Sequence, residues 1–264
     1  MTRPAADTAW QEILRRRFDR AAPGYGRLAR VQQGSADTLL AEAGPLHGVV
    51  LDLGCGSGHL ARTLAMQPAI TRVLALDLSE GMLRVPEWGR APGAVEPGPA
   101  PLNRLVADAA CLPLAAGSVD ALLSNFALHW CPEPLPLMRE LRRVVRADGL
   151  AQLAIPVAGS LDIRPEASGR GAALRDAGDW HAAAGQAGWQ VARAEVAECR
   201  EYHADARAWL EALRAMGVTA RQGSGAGLLG RQGFRALLER LELAREPDGI
   251  PLSYRVWRAR LHPR

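Results

Sequence analysis

Residues 49 to 65 read VVLDLGCGSGHLARTLA: an acid, Asp52, is followed by three glycines in five positions, Gly54, Gly56 and Gly58. Glycines leave the backbone bare, so the chain can turn sharply and a ligand can lie against it. Strand, glycine turn and helix in that order form the nucleotide-binding corner of an open α/β sheet, here with G-x-G-x-G one residue tighter than the dinucleotide spacing. Further polar residues close later apolar runs. Asp77 ends TRVLALD, 19 residues after Gly58; Asp108 ends LNRLVAD and Asn125 ends VDALLSN. In such sheets the ligand lies across the carboxyl ends of the strands, so these four groups converge on one crevice. An acid at Asp77 can accept from both ribose hydroxyls, as NAD and S-adenosylmethionine both require. Asp108 can accept from an adenine amino group. The acid ahead of the turn separates the two ligands: Asp52 would repel a pyrophosphate but tolerates an ammonium and a sulfonium, which favours S-adenosylmethionine.

These groups need a particular scaffold. Residues 7 to 43 read as two helices, ILRRRFDRAA and VQQGSADTLLAEA, broken at Pro23-Gly24. Strand and helix signals then alternate. Val49 to Leu51 open the first strand, TRVLALD is the second, and LSEGMLRV is a short helix capped by Ser79. LNRLVAD and VDALLSN are the third and fourth strands, EPLPLMRELRRVV a helix and GLAQLAIP the fifth strand. Residues 86 to 103, with five prolines and three glycines, read as a surface loop. The second half continues with helices AALRDAGDWHAAAGQ, ADARAWLEALRAMG and FRALLERLELAR, a glycine-rich hinge VTARQGSGAGLLGRQG, and strands WQVARAEVAECREY and PLSYRVWRARLH. The alternation predicts a doubly wound, parallel α/β sheet.

Composition sets the bounds. The chain has 264 residues with 48% hydrophobics, enough for one embellished α/β domain. All 32 basic residues are arginine, and the net charge of +4 is mild. No nucleic-acid module is visible. Cys55, Cys111, Cys131 and Cys199 have neither zinc-site spacing nor a disulfide framework, so no metal is expected and a reducing cytoplasm is. No run approaches the ~20 apolar residues of a membrane helix, and MTRPAADTAW lacks a signal-peptide core.

The series LDLGCGSG, ALDLSEGML, ADAACLPL, SNFALHW and LRRVVRADG resembles the class I S-adenosylmethionine-dependent methyltransferases. The flanks RRRFDRAAPGYGRLARVQQGSADTLL, LHWC, PVAGSL, LRAMGVTA and PLSYRVWRARL, spread over roughly residues 15 to 262, resemble malonyl-acyl-carrier-protein O-methyltransferases of biotin synthesis. The resemblance implies a seven-stranded Rossmann-like core in residues 45–264, an N-terminal helical lid in 1–44 and a helical insertion near 204–245, before the last strand. It implies that Gly54, Gly56 and Gly58 flank the methionine part of the cofactor, with Asp52 just ahead of them beside its cations. Asp77 would hold the ribose, Leu78 and Met82 the adenine, and Asp108 and Ala109 its edge. Asn125 would face the transferred methyl, and Tyr25 would lie over the active site. Two segments depart from the family pattern: the longer loop at 86–103, and DIRPEASGRGAA after Gly159-Ser160-Leu161.

The implied substrate is the free carboxylate of malonyl-acyl-carrier protein or malonyl-CoA. A carboxylate with pKa ~4 is already ionised at neutral pH, so no general base is needed. His129 would be the base in a methyltransferase that deprotonates its substrate; the other reading is loop packing. Trp257 reads as core. An acidic carrier calls for a basic docking face. Arg139, Arg142, Arg143 and Arg146 on the helix at 133–146 offer one, and Arg15, Arg16, Arg17 and Arg20 another. Two other functions fit less of the pattern: methylation of another small carboxylic acid or quinone precursor, and a catalytically inactive S-adenosylmethionine-binding partner protein.

Overall fold

The computed structural model describes residues 5–89, 100–161, 174–215 and 231–264. Most of the loop expected at 86–103, the segment DIRPEASGRGAA and most of the glycine-rich hinge lie outside the described residues.

Seven strands form one sheet in the order β3-β2-β1-β4-β5-β7-β6. They are β1 (Gly48–Leu53), β2 (Ile70–Asp77), β3 (Leu102–Val106), β4 (Val119–Asn125), β5 (Val145–Pro156), β6 (Trp189–His203) and β7 (Ile250–Pro263). The first five are parallel. They bear out the parallel, doubly wound sheet that the alternation predicts; toward the far edge β7 departs from that direction, running antiparallel to both β5 and β6. The chain between β6 and β7 is long enough to return in either direction, and the β6–β7 ladder runs from Trp189↔Pro263 to His203↔Ile250.

Helices cover both faces. On one side pack α2 (Arg30–Ala43), α3 (His59–Ala65), α7 (Ala206–Ala215) and α8 (Arg231–Leu243). On the other pack α5 (Pro134–Val144) and α6 (Ala177–Gln186). Side chains of a strand alternate between faces, so in β1 Val50 enters the first core and Leu51 and Leu53 the second. β7 does likewise: Leu252, Tyr254 and Val256 point one way, Trp257, Ala259 and Leu261 the other. Trp257 is buried, as its place in an alternating strand predicts. The apolar face of α5 buries Leu137, Met138, Leu141 and Val144, and Arg146 belongs to β5 rather than to the helix.

The N-terminal region departs from the sequence reading. α1 (Ala5–Leu28) is one helix that runs through Pro23, and Ala29 alone separates it from α2. A proline inside a helix removes one backbone hydrogen bond and crowds the preceding turn; here tertiary contacts outweigh that cost. Ala22 packs with Met82 and Val85, joined by Phe18, Tyr25 and Trp88. Asp19 Oδ1 accepts from Ser79 Oγ at 2.6 Å and from Gly81 N at 2.9 Å, tying α1 to α4 (Glu80–Leu83). Ser79 caps α4, its Oγ accepting from Met82 N at 3.1 Å.

Asp19→Ala removes the acceptor for two buried donors at this junction. It is expected to cost about 1–3 kcal/mol in urea unfolding and to speed limited proteolysis within α1. Unchanged stability and protection would show that α1 is held by its apolar contacts alone.

Candidate active site

The carboxyl ends of β1, β2 and β4 open onto one cleft, and α1 lies over it. The cleft contains about 890 Å3 of space, part of it open to solvent. Its floor is Leu53, Gly54 and Gly56 after β1 and Leu76, Asp77 and Leu78 at β2. Ala107, Asp108 and Ala109 form one end; Asn125, Phe126, Ala127 and Leu128 form another wall. Trp10, Gln11, Leu14, Phe18 and Tyr25 of α1 close the top.

The glycine turn is shaped by close approach. Gly54 has φ +76°, and a Cβ there would sit 2.1 Å from the Cβ of Ala127, so only glycine lets the chain after β4 come this near. Gly58 has φ +84° and meets the Trp88 ring, where an added Cβ would fall at 2.7 Å. The N–H groups of Gly54 and Cys55 both donate to the Leu76 carbonyl, at 2.7 and 3.1 Å. Asp77 crosses between strands: Oδ2 accepts from Gly56 N at 2.9 Å and Oδ1 from Ser79 N at 2.8 Å. The carboxylate is thus held in one orientation beside bare backbone.

The electrostatics favour a cation. Burial pushes the Asp52 carboxyl up to about 8, and the negative charge of Asp77 adds to the shift. Burial also raises Asp77, opposed by the N–H groups of Ser79 and Gly56. Neither acid has an arginine or histidine within ion-pair distance among the described residues. Tyr25 is raised by burial first and by Asp77 second, so its phenol stays protonated and available as a donor. Asn125 Nδ2 donates to the Gln32 carbonyl at 2.8 Å, while its Oδ1 is buried with no partner among the described residues. Phe126 next to it takes φ 54°, a strained conformation for a bulky residue. Such strain persists only where the surroundings fix it, here by Phe126 N donating to the Ala154 carbonyl at 2.9 Å and by edge contact with Tyr254 at 5.2 Å.

Eight of the expected cofactor residues line the cleft: Gly54, Gly56, Asp77, Leu78, Met82, Asp108, Ala109 and Asn125. Tyr25 lines it too. Three expected residues do not. Asp52 lies behind the turn, almost wholly buried. Gly58 caps α3 under Trp88. His129 sits in the turn after β4 against Trp130, ring centres 4.7 Å apart, with Nδ1 buried and unpartnered among the described residues. Burial pushes His129 down to about 3, so it is neutral and a weak base. The sequence reading missed the α1 wall. Trp10, Leu14 and Phe18 recur at helical spacing, a signal for one apolar face. Two bonds fasten that face across the mouth: Trp10 Nε1 donates to the Trp130 carbonyl at 3.2 Å, and Gln11 Nε2 donates to Asp108.

The residues present fit S-adenosylmethionine. A bare turn beside two acids with no ion-pair partner among the described residues suits its ammonium and sulfonium, fixed carboxylates suit its ribose and adenine amino group, and apolar walls suit the ring.

Asp52 yields a stability test. Its folded pKa lies above the unfolded value of about 4, so between the two the native state holds a proton that the unfolded state releases. Native stability therefore falls as pH rises through this window, by up to about 1.4 kcal/mol per unit, and levels off above about 8. Asp52→Asn is expected to flatten that fall relative to the parent protein in unfolding experiments between about pH 5 and 8; parallel curves would show that Asp52 is ionised in the native state.

Comparison with known proteins agrees with this site. A family model described as a methyltransferase domain matches residues 51–153, from β1 into β5. The malonyl-[acyl-carrier protein] O-methyltransferase of Alcanivorax borkumensis is 34% identical, the alignment covering 92% of this chain and 84% of that protein. The protein of the same description from Laribacter hongkongensis is 31% identical, over 95% and 90%. Among solved structures, a putative methyltransferase from Bacillus halodurans matches with a TM-score of 0.61 at 16% identity, covering 86% of this chain and 98% of that one. Geranyl diphosphate C-methyltransferase from Streptomyces coelicolor, solved with S-adenosyl-L-homocysteine, gives 0.60 at 14% identity, over 99% and 100%. Those two likenesses establish the Rossmann-like methyltransferase fold, and the identity along nearly the full length establishes the rest: the chain belongs to the malonyl-[acyl-carrier protein] O-methyltransferase family.

Proposed function

We propose that this protein transfers the methyl group of S-adenosylmethionine to the free carboxylate of malonyl-acyl-carrier protein or malonyl-CoA, giving the malonyl methyl ester that primes biotin synthesis. The observation that carries the reading is a cradle suited to a cationic donor in a cleft where no side chain among the described residues is poised as a base. Asp77 and Asp108 are engaged by backbone N–H groups and Gln11, and His129 is neutral and outside the lining. A nucleophile that must be deprotonated would find no help there; a carboxylate, already ionised at neutral pH, needs none.

When bound, S-adenosylmethionine supplies an electrophilic methyl on a sulfonium. The chain's own residues then have three tasks. Gly54 and Gly56 present backbone to the methionine part, Asp77 accepts from the ribose, and Leu78, Met82, Asp108 and Ala109 surround the adenine. Trp10, Leu14 and Phe18 exclude water, so the helix 5–28 acts as a lid over the reacting groups. Tyr25, kept protonated, donates a hydrogen bond near the glycine turn, and the unpartnered Oδ1 of Asn125 bounds the same space. Catalysis is positioning: one carboxylate oxygen held in line with the methyl. A single neutral donor orients that anion without the loss of nucleophilicity that a buried arginine pair would impose. Esterification removes the charge, which lets the product leave a dry cleft.

With labelled S-adenosylmethionine and a panel of malonyl-carrier protein, malonyl-CoA and free dicarboxylic acids, label is expected as a base-labile ester on the malonyl thioesters. Label confined to another acid would overturn the substrate; absence of label with intact cofactor binding would point to an inactive binding protein. Asp77→Ala is expected to weaken cofactor binding by about 1–3 kcal/mol, and unchanged calorimetric affinity would remove Asp77 from the ribose. Tyr25→Phe is expected to lower kcat with cofactor affinity nearly kept; full turnover would reduce Tyr25 to a packing residue.

A further inference from the structure

The sequence offers two arginine clusters that could meet an acidic partner, and ion pairing together with distance from the cleft distinguishes them. On α5 and the start of β5, Arg139 is exposed with no acidic partner among the described residues and Arg142 donates to the Arg264 carbonyl at 3.3 Å, but none of the four arginines lines or borders the cleft, and the other two charges are spent locally. Arg143 makes a two-pronged pair with Glu140 and also donates to the carbonyls of Leu112 and Leu114. Arg146 pairs with Asp120 at 2.6 Å. On α1, Arg15 and Arg16 are likewise neutralised, both by Glu12 and Arg15 also by Asp19. Arg17, Arg20 and Arg27 have no acidic partner among the described residues. Burial and the neighbouring positive charge of Arg20 both press on Arg17.

Helical geometry gathers these three. At 3.6 residues per turn, Arg17, Arg20, Arg27 and Ile13 fall within about 80° of one helix face. Glu12 and Asp19 lie roughly 100° to 120° from the middle of that face, with Arg16, paired to Glu12, between them and the stripe. The stripe borders the face whose Trp10, Leu14, Phe18 and Tyr25 line the cleft. Ile13 is 43% exposed, one of the few large apolar side chains left open, and Arg20 and Arg27 are exposed. Arg17 is eight residues from Tyr25, about 12 Å along the helix axis, which is within the reach of a pantetheine arm. Uncompensated arginines around an apolar residue, at the rim of an active site, are what an acidic helical partner would recognise.

We infer that the α1 stripe of Ile13, Arg17, Arg20 and Arg27 is where the acidic face of the acyl carrier protein docks. The inference rests on the proposed function and names the surface that brings the substrate in. The docked carrier would sit on the outer flank of the same helix whose inner face closes the cleft, so that docking and closure share one element.

The test compares Arg17→Glu/Arg20→Glu with the parent enzyme on three substrates: malonyl-carrier protein, malonyl-CoA, and a malonyl thioester of a short neutral thiol. The expected result is a loss of about tenfold or more in kcat/KM for the carrier substrate, carried by KM and shrinking at high salt, with the short thioester and cofactor affinity unchanged. Equal losses on carrier and CoA would assign the stripe to the phosphate of the arm and overturn carrier docking. Unchanged kcat/KM on the carrier would overturn it too, as would a loss on all three substrates. If the parent enzyme methylates none of them, the functional reading fails separately. Direct binding of malonyl-carrier protein to parent and variant then decides the docking surface: equal affinity, or no binding to either, counts against it.

Discussion

Two carboxyl groups at one turn, Asp52 buried and Asp77 partly so, with no cation among the described residues to answer them, are the condition on which this site depends. Asp52 and Asp77 lie on adjacent parallel strands; the charge of Asp77 raises the proton affinity of Asp52, and Asp19 raises that of Asp77. A fold selected only for stability would pair or replace them, because buried charge without a partner is costly. Here Asp77 is held by backbone N–H groups alone and Asp52 by burial behind the glycines. A ligand carrying positive charge relieves the strain on both acids. The glycines follow from the same condition, since side chains at Gly54 would block the approach of Ala127 and seal the space between strand ends.

The second constraint is the cover. A parallel sheet exposes its carboxyl-end crevice to water, and an in-line attack by a weak nucleophile needs a dry one. α1 answers this by continuing past a proline, held through Asp19 to α4 and through Trp10 and Gln11 to the far rim. A single helix therefore carries apolar side chains on its inner face, a protonated tyrosine beside the glycine turn, and on its flank arginines with no acidic partner among the described residues.

Much of this was legible in residue order. The glycine spacing, the acids closing successive apolar runs, and the Ser79 cap are local features, and local chemistry fixes them. The two faces of α5 were readable from its period. What escaped depends on parts of the chain far apart in sequence. Pro23 reads as a break because the rule is local, whereas the bonds of Asp19 to Ser79 and Gly81 are not. β7 alternates like any strand, and alternation does not encode direction. Trp10, Leu14 and Phe18 show a helical period, which defines a face but not what it covers. Asp52 and His129 stand within motifs of the site, yet one is turned behind the glycines and the other packs half-buried against Trp130 in the loop. Sequence proximity to a site does not set which way a side chain points.

The most direct measurement is calorimetric titration with S-adenosylmethionine near neutral pH in two buffers of different ionisation enthalpy. If a cationic donor settles beside the acid pair, binding will be one-to-one and will release part of a proton, because the approaching charge ionises Asp52. Proton uptake, or no binding at all, would contradict the account.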